Sequence, residues 1–163
     1  MIDVRRAQEQ EFGAIGELTV RAYLADGAVR PDDPYLDVLR DAAARAVGAE
    51  LWVAVDDRGT LLGTVTTCPC GSPFRELAGD EEGEFRTLAV DPAARGRGVG
   101  RLLAEHCLAR AAADGFPSVV ISTAEWMTTA HRLYARLGFT RAPQRDWWPR
   151  PDLRLLALVR SVP

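Results

Sequence analysis

The sequence predicts one α/β domain whose strands and helices run in the order β-α-α-β-β-β-α-β-α-β-β. Three observations predict it. Short β-rich runs bounded by turn residues recur along the chain, separated by longer stretches with apolar residues at helical spacing. A strand carrying Phe85, Leu88 and Val90 stops at Asp91-Pro92 and gives way, through the turn Arg95-Gly96-Arg97-Gly98-Val99-Gly100, to a helix. The 163 residues suit a single domain, 1–163, and 47% apolar against 26% charged residues is enough for a real core.

The elements follow in order. Ile2–Arg6 alternate apolar and polar, as a half-buried strand does. Gln8–Leu24 read as a helix with Phe12, Ile15, Leu18, Val20 and Tyr23 on its apolar side, weakened by Gly13 and Gly16. Asp26–Pro34, rich in Asp, Pro and Gly, is a loop. Asp33-Pro34 then start a second helix over Tyr35–Val47. Leu51–Val55 and Leu61–Thr67 are strands joined by the hairpin turn Asp56-Asp57-Arg58-Gly59. Pro69–Gly83 is a loop whose acidic group Asp80-Glu81-Glu82 is either a solvated face or a negative rim for a cationic acceptor. The third helix carries Val99, Leu102, Leu103, Cys107 and Ala111 near one face and ends at Asp114-Gly115. Val119-Val120-Ile121 form a strand buried on both sides. A fourth helix starts at Thr128 or Thr129, presents Ala130, Leu133, Tyr134 and Leu137, and stops at Gly138. Phe139–Gln144 and Leu153–Val159 are the closing strands, with Arg145–Pro151 as their connection.

Composition excludes several classes. The net charge of −3 leaves no basic field for nucleic acid. No apolar stretch approaches the length of a membrane span, and the first residues do not form a signal peptide. Cys68, Cys70 and Cys107 are odd in number, and Cys-Pro-Cys is a poor disulfide spacing, so a reducing cytoplasm is expected. Cys68, Cys70, His106 and His131 match no zinc spacing, so no metal is expected. All 20 basic residues are arginines, so no side-chain amine is available for self-acylation.

The glycine-rich turn is the chemical centre. A turn that opens a helix leaves the first N–H groups unpaired, and their partial positive charge favours anions, phosphates above all. Gly96, Gly98 and Gly100 let a ligand approach the backbone, and Arg95, Arg97 and Arg101 add charge at the rim. A Walker loop is excluded because the chain has no lysine. The dinucleotide fingerprint is disfavoured because the glycines run G-x-G-x-G and Asp91–Arg95 separate them from the strand.

What the turn does resemble is the coenzyme A pyrophosphate loop of the GNAT N-acetyltransferase superfamily, Arg/Gln-x-x-Gly-x-Gly/Ala, met here by Arg95, Gly98 and Gly100. It follows a strand ending Leu-Ala-Val-x-Pro, met by Leu88–Pro92. The family's Ala-x-x-Leu-Tyr-x-x-Leu-Gly-Phe is met at every position of Ala130–Phe139. The resemblance spans about Ile2–Arg160 and implies the GNAT fold: a mixed central sheet of six to seven strands with four helices.

By that resemblance the cosubstrate is acetyl-CoA and the reaction is direct acetyl transfer to a primary amine, on a small molecule or a peptide N-terminus. Leu88, Ala89 and Val90 would pair with the pantetheine arm, and Arg95, Gly96, Arg97, Gly98, Val99, Gly100 and Arg101 would hold the diphosphate. Tyr134 is the general-acid candidate, since a phenol of pKa about 10 stays protonated at neutral pH. Glu84, Glu125 or no dedicated residue serves as base; the family's common asparagine contact is replaced by Glu125-Trp126-Met127-Thr128. Tyr23, Tyr35, Trp147 and Trp148 are possible acceptor-pocket residues, or simply packing aromatics. A homodimer is the family expectation. The other functional reading is an idle acetyl-CoA-binding sensor or interaction module.

Overall fold

A single eight-stranded sheet runs through the computed structural model, which describes residues 1–162. The strands are β1 (Asp3–Arg6), β2 (Glu50–Val55), β3 (Leu61–Thr67), β4 (Glu82–Val90), β5 (Ser118–Ala124), β6 (Thr140–Arg141), β7 (Trp147–Arg150) and β8 (Leu153–Ser161). Their order is β1-β2-β3-β4-β5-β8-β6, with β7 also paired to β8. All pairs are antiparallel except the central β4–β5, which is parallel. A parallel neighbour needs a crossover. Here it is the helix α4 (Val99–Ala113).

Side-chain alternation on the strands sets which helix lies on which face. On β2, Trp52 and Ala54 point to a cluster with Val99, Leu103 and Cys107 of α4. Leu51, Val53 and Val55 point the other way, to Ile15 of α1 (Phe12–Ala25) and Ala42 of α3 (Ala42–Gly48). Tyr134, on α5 (Thr128–Arg136), and Phe139, just beyond it, complete the α4 face. Each fully buried Leu or Val there contributes about 1.5–3 kcal/mol. Gly16 is in α1 for a packing reason: a Cβ would sit 2.2 Å from the carbonyl oxygen of Arg40.

Three elements differ from expectation. The helix predicted over Tyr35–Val47 is broken into α2 (Tyr35–Arg40) and α3. At Asp41 the backbone leaves helical angles (φ −82°, ψ 67°), and its carboxylate accepts from the Ala44 N–H at 3.0 Å, capping α3. The buried Arg45 guanidinium donates to the Val38 and Leu39 carbonyls at the end of α2, stabilising the break. The strand predicted at Phe139–Gln144 is only Thr140–Arg141, because Pro143 opens a 3-10 turn. Trp147–Arg150, read as a connection, is a strand paired to β8. No helix among the described residues is long and apolar enough to cross a membrane.

Candidate active site

The central pair of strands separates. β4 and β5 are in register only at Glu82–Glu84 against Ser118–Val120. Beyond these, β4 stays paired to β3 and β5 to β8, so the facing main-chain groups of the two strands have no ladder partner across the gap. The register on the β3 side also slips. Thr64 opposes Ala89 and Thr66 opposes Arg86, so β4 carries one extra residue, a bulge. Thr87 within it has φ +56°, unusual for a β-branched residue. Such a conformation costs on the order of 1–3 kcal/mol and persists because the surrounding strands impose it. The result is a wedge-shaped cleft of about 730 Å³, walled by Phe85–Leu88 and Val90 on one side and Ile121–Ala124 on the other.

The glycine-rich turn closes one end of this cleft. Gly96 (φ +78°) and Gly98 (φ +77°) are left-handed, and Gly98 is the N-cap of α4. A Cβ at either would meet nothing within 4 Å, so the space above both is open. Arg95, Gly96, Gly98, Val99, Gly100, Arg101 and Arg136 all line the cleft there. Arg95 is meanwhile paired with Asp26 at 2.6 Å, which also lines it. Gly98→Ala would place a β-carbon in the left-handed region at a cost of about 1–2 kcal/mol and into the space above the N–H groups. The expected result is a thermal midpoint lowered by about 2–8 °C, read by a thermal melt.

Not every predicted cofactor residue faces the cleft. Leu88 and Val90 line it. The Ala89 side chain instead packs with Leu18 and Ala22 on the opposite face of the sheet, and its backbone is taken by Thr64 of β3. Arg97 is exposed, is absent from the cleft wall and lies toward Asp56. Alternation in the strand and the reversal of the chain at each left-handed glycine account for both.

Tyr134 lies in the cleft wall. Its ring packs on Phe139 (5.6 Å between centroids) and Phe85 (6.1 Å). Burial raises the phenol's pKa far above its ordinary value, with lesser contributions from Tyr23 and Cys107. The Thr123 hydroxyl on β5 is buried with no hydrogen-bond partner among the described residues, and the residue is part of the cleft wall. Unpaired main-chain groups on β4 and an open anion cradle together fit a long polar chain ending in phosphates, as coenzyme A does.

The two carboxylates singled out as bases do not line the cleft. Glu84 is buried, and its oxygens accept from the Glu76, Leu77 and Ala78 N–H groups at 3.0–3.2 Å. Its lone pairs are spent on holding the β3–β4 loop. Glu125 is exposed and paired with Arg154 at 3.2 Å. Three acids do line the cleft, Asp26, Asp33 and Glu76, and of these Glu76 is carried by the very backbone that Glu84 grips. Glu76 is ion-paired to Arg86 at 2.8 Å. Burial raises its pKa, Arg86 opposes that, and Glu84 adds to it. Sequence reasoning missed Glu76 because the loop gives it no periodic or motif context; only a long-range contact places it. The acidic group Asp80-Glu81-Glu82 does not reach the cleft. Glu82 is held by Arg145 at 2.7 and 2.8 Å.

Tyr23 and Tyr35 line the cleft near Glu76 and Arg86, while Trp147 and Trp148 do not. Trp148 lies beneath the Arg154 guanidinium instead. Trp126, Pro149 and Arg150 occupy the wall in their place. Cys68 and Cys107 are buried free thiols, the former pushed up to about 12 by burial, and neither is poised to react. No cluster among the described residues could hold a metal ion.

Comparison with known proteins agrees with this geometry. The family model described as "Acetyltransferase (GNAT) family" matches residues 12–139. Mycothiol acetyltransferase of Nocardia farcinica is 37% identical over 109 residues, covering 63% of this chain and 35% of that protein. N-acetylaspartate synthetase of Danio rerio is 28% identical over 116 residues, covering 71% and 38%. The chain thus spans little more than a third of the length of these relatives. An N-acetyltransferase from Kribbella flavida superposes with a TM-score of 0.71 at 27% identity, covering 99% of this chain and 98% of that one. A Salmonella typhimurium structure holding its cofactor acetyl-CoA superposes at 0.69 with 24% identity, covering 100% and 95%. The match over residues 12–139 shows that the chain belongs to the GNAT acetyltransferase family.

Proposed function

We propose that this chain transfers an acetyl group from acetyl-CoA to the primary amine of a small molecule. The observation that carries the reading is a single cleft that joins an anion cradle, an unpaired strand edge, a buried tyrosine and a desolvated carboxylate. The relatives' names, one an acetyltransferase and the other a synthetase of an acetylated amino acid, support it. Acetyl-CoA, when bound, supplies an acyl thioester. Gly96–Gly100 N–H groups and Arg95 hold its phosphates. The unpaired edge of β4 around Leu88 aligns the arm and offers an N–H to the thioester oxygen.

Glu76 takes the proton of the incoming ammonium, after which nitrogen attacks the acyl carbon. The C–N bond forms, the C–S bond breaks, and Tyr134 gives its hydroxyl proton to the departing sulfur and regains one from the second proton shed by the acylated nitrogen, while the proton on Glu76 passes to solvent. The raised pKa of Tyr134 does not oppose this. The burial that disfavours its phenolate also disfavours an adjacent thiolate, which raises the thiolate's demand for the proton.

Glu76→Gln removes the base. The expected result is a kcat/KM for amines lowered by about 10²-fold or more, with acetyl-CoA affinity unchanged. In the unsubstituted chain, activity falls as pH drops through the Glu76 pKa, which lies above the usual carboxylate value; Glu76→Gln loses that acid limb. Release of thiol from acetyl-CoA over a panel of amines tests the function itself. Binding of acetyl-CoA with no turnover of any amine would instead favour an acetyl-CoA sensor.

A further inference from the structure

Resting on that reading, we propose that the acceptor is an amino acid: an amine one or two carbons from a carboxylate, its ammonium facing Glu76 and its carboxylate facing Arg86. Two opposed ion pairs line the acceptor end of the cleft. Arg86 Nε lies 2.8 Å from Glu76, and Arg150 Nη2 lies 3.4 Å from Asp33. The second pair joins the α1–α2 loop to β7, so its members come from opposite walls. Each pair is formally neutral, so this end of the cleft presents no net field to attract a polycation or a polyanion.

The pairs have capacity left. Arg86 spends Nη1 on the Phe74 carbonyl at 3.1 Å and Nε on Glu76, leaving Nη2 without a partner among the described residues. Arg150 spends Nη2 on Asp33 and Nε on Asp152 at 3.2 Å, leaving Nη1. A guanidinium edge is a carboxylate fork. A simple alkylamine would satisfy Glu76 alone and leave desolvated Arg86 without compensation for the partner it shares. A polyamine would bring like charge against Arg86 and Arg150. An amino acid supplies both charges, and the 2.8 Å between Glu76 and Arg86 requires its ammonium and carboxylate to be close together. Tyr23 and Tyr35 stand beside this pair and bound the space for the amino acid's side chain.

The test compares each of several L-amino acids with its own C-terminal amide as acceptor, at saturating acetyl-CoA, by thiol release. The amide's amine is less basic and more readily a free base, so chemistry alone favours the amide. The expected result is a kcat/KM at least about tenfold higher for the acid, the size of one charge-assisted contact. Arg86→Gln is expected to collapse that ratio toward one through KM of the acids, and Arg86→Lys to restore part of it. Amides or alkylamines used as well as acids by the unsubstituted chain would overturn the proposal, whatever the variants do. An unchanged ratio in folded Arg86→Gln would also overturn it. Acetyl-CoA bound with no amine of either series consumed would remove the acetyl-transfer reading, and this one with it.

Discussion

Tyr134→Phe is expected to lower kcat for amine acetylation by about 10²-fold or more while leaving acetyl-CoA affinity unchanged. The hydroxyl is the only atom removed. The ring's contacts, tilted against Phe85 and edge-on to Phe139, survive because they are contacts between carbon frames. No hydrogen bond contributes to the raised pKa of the phenol, so no internal partner is orphaned by the change. The thermal midpoint should therefore stay within about 2 °C, since 1 kcal/mol shifts it by only about 2–4 °C at this size. Thiol release under single-turnover conditions reads the first quantity, and calorimetric titration reads the second. A residue that only packed would show kcat retained, with the midpoint likewise unmoved because the ring remains.

Glu84→Ala is expected to act mainly on stability. The carboxylate is buried at the start of the splayed strand and gathers three successive N–H groups of the β3–β4 loop. Deleting it leaves those donors facing a void. Hydrogen bonds to a charged group are worth about 1.5–3 kcal/mol each, but the loop can relax toward water, so a loss of about 3 kcal/mol is expected. That corresponds to a midpoint lowered by about 6–12 °C. Activity should fall as well, because the same three N–H groups position Glu76. The distinguishing readout is the pH profile. Residual activity in Glu84→Ala should keep the acid limb that Glu76 imposes, whereas a variant lacking the true base would lose it. Loss of the limb in Glu84→Ala, with the midpoint unmoved, would return the role of base to Glu84.

Much of the fold was legible because its signals are local. The strand at Phe85–Val90, the Asp91-Pro92 stop and the helix from Val99 follow from β-propensity, proline and spacing, and each stands in the structure where it was expected. The left-handed glycines of the turn are likewise a local matter, since no other residue adopts those angles without cost. What was not legible depends on distant contacts. The break at Asp41 looks like continuous helix until Arg45 is seen to cap α2 from below. β7 contains two adjacent tryptophans and a proline, and becomes a strand only because β8 offers an edge. The same limit governs the site. Glycine turn and tyrosine carry motifs. Glu76, Arg86, Asp33 and Arg150 carry none, and they meet only after the loop, the bulge at Thr87 and the final hairpin are folded around them.

The most direct measurement is a crystal structure of the complex with acetyl-CoA. The account predicts the diphosphate on the N–H groups of Gly96–Gly100, the arm along the unpaired edge of β4, and the sulfur within hydrogen-bonding reach of the Tyr134 hydroxyl. A diphosphate bound away from that turn, or a sulfur far from Tyr134 with the cofactor fully ordered, would contradict it.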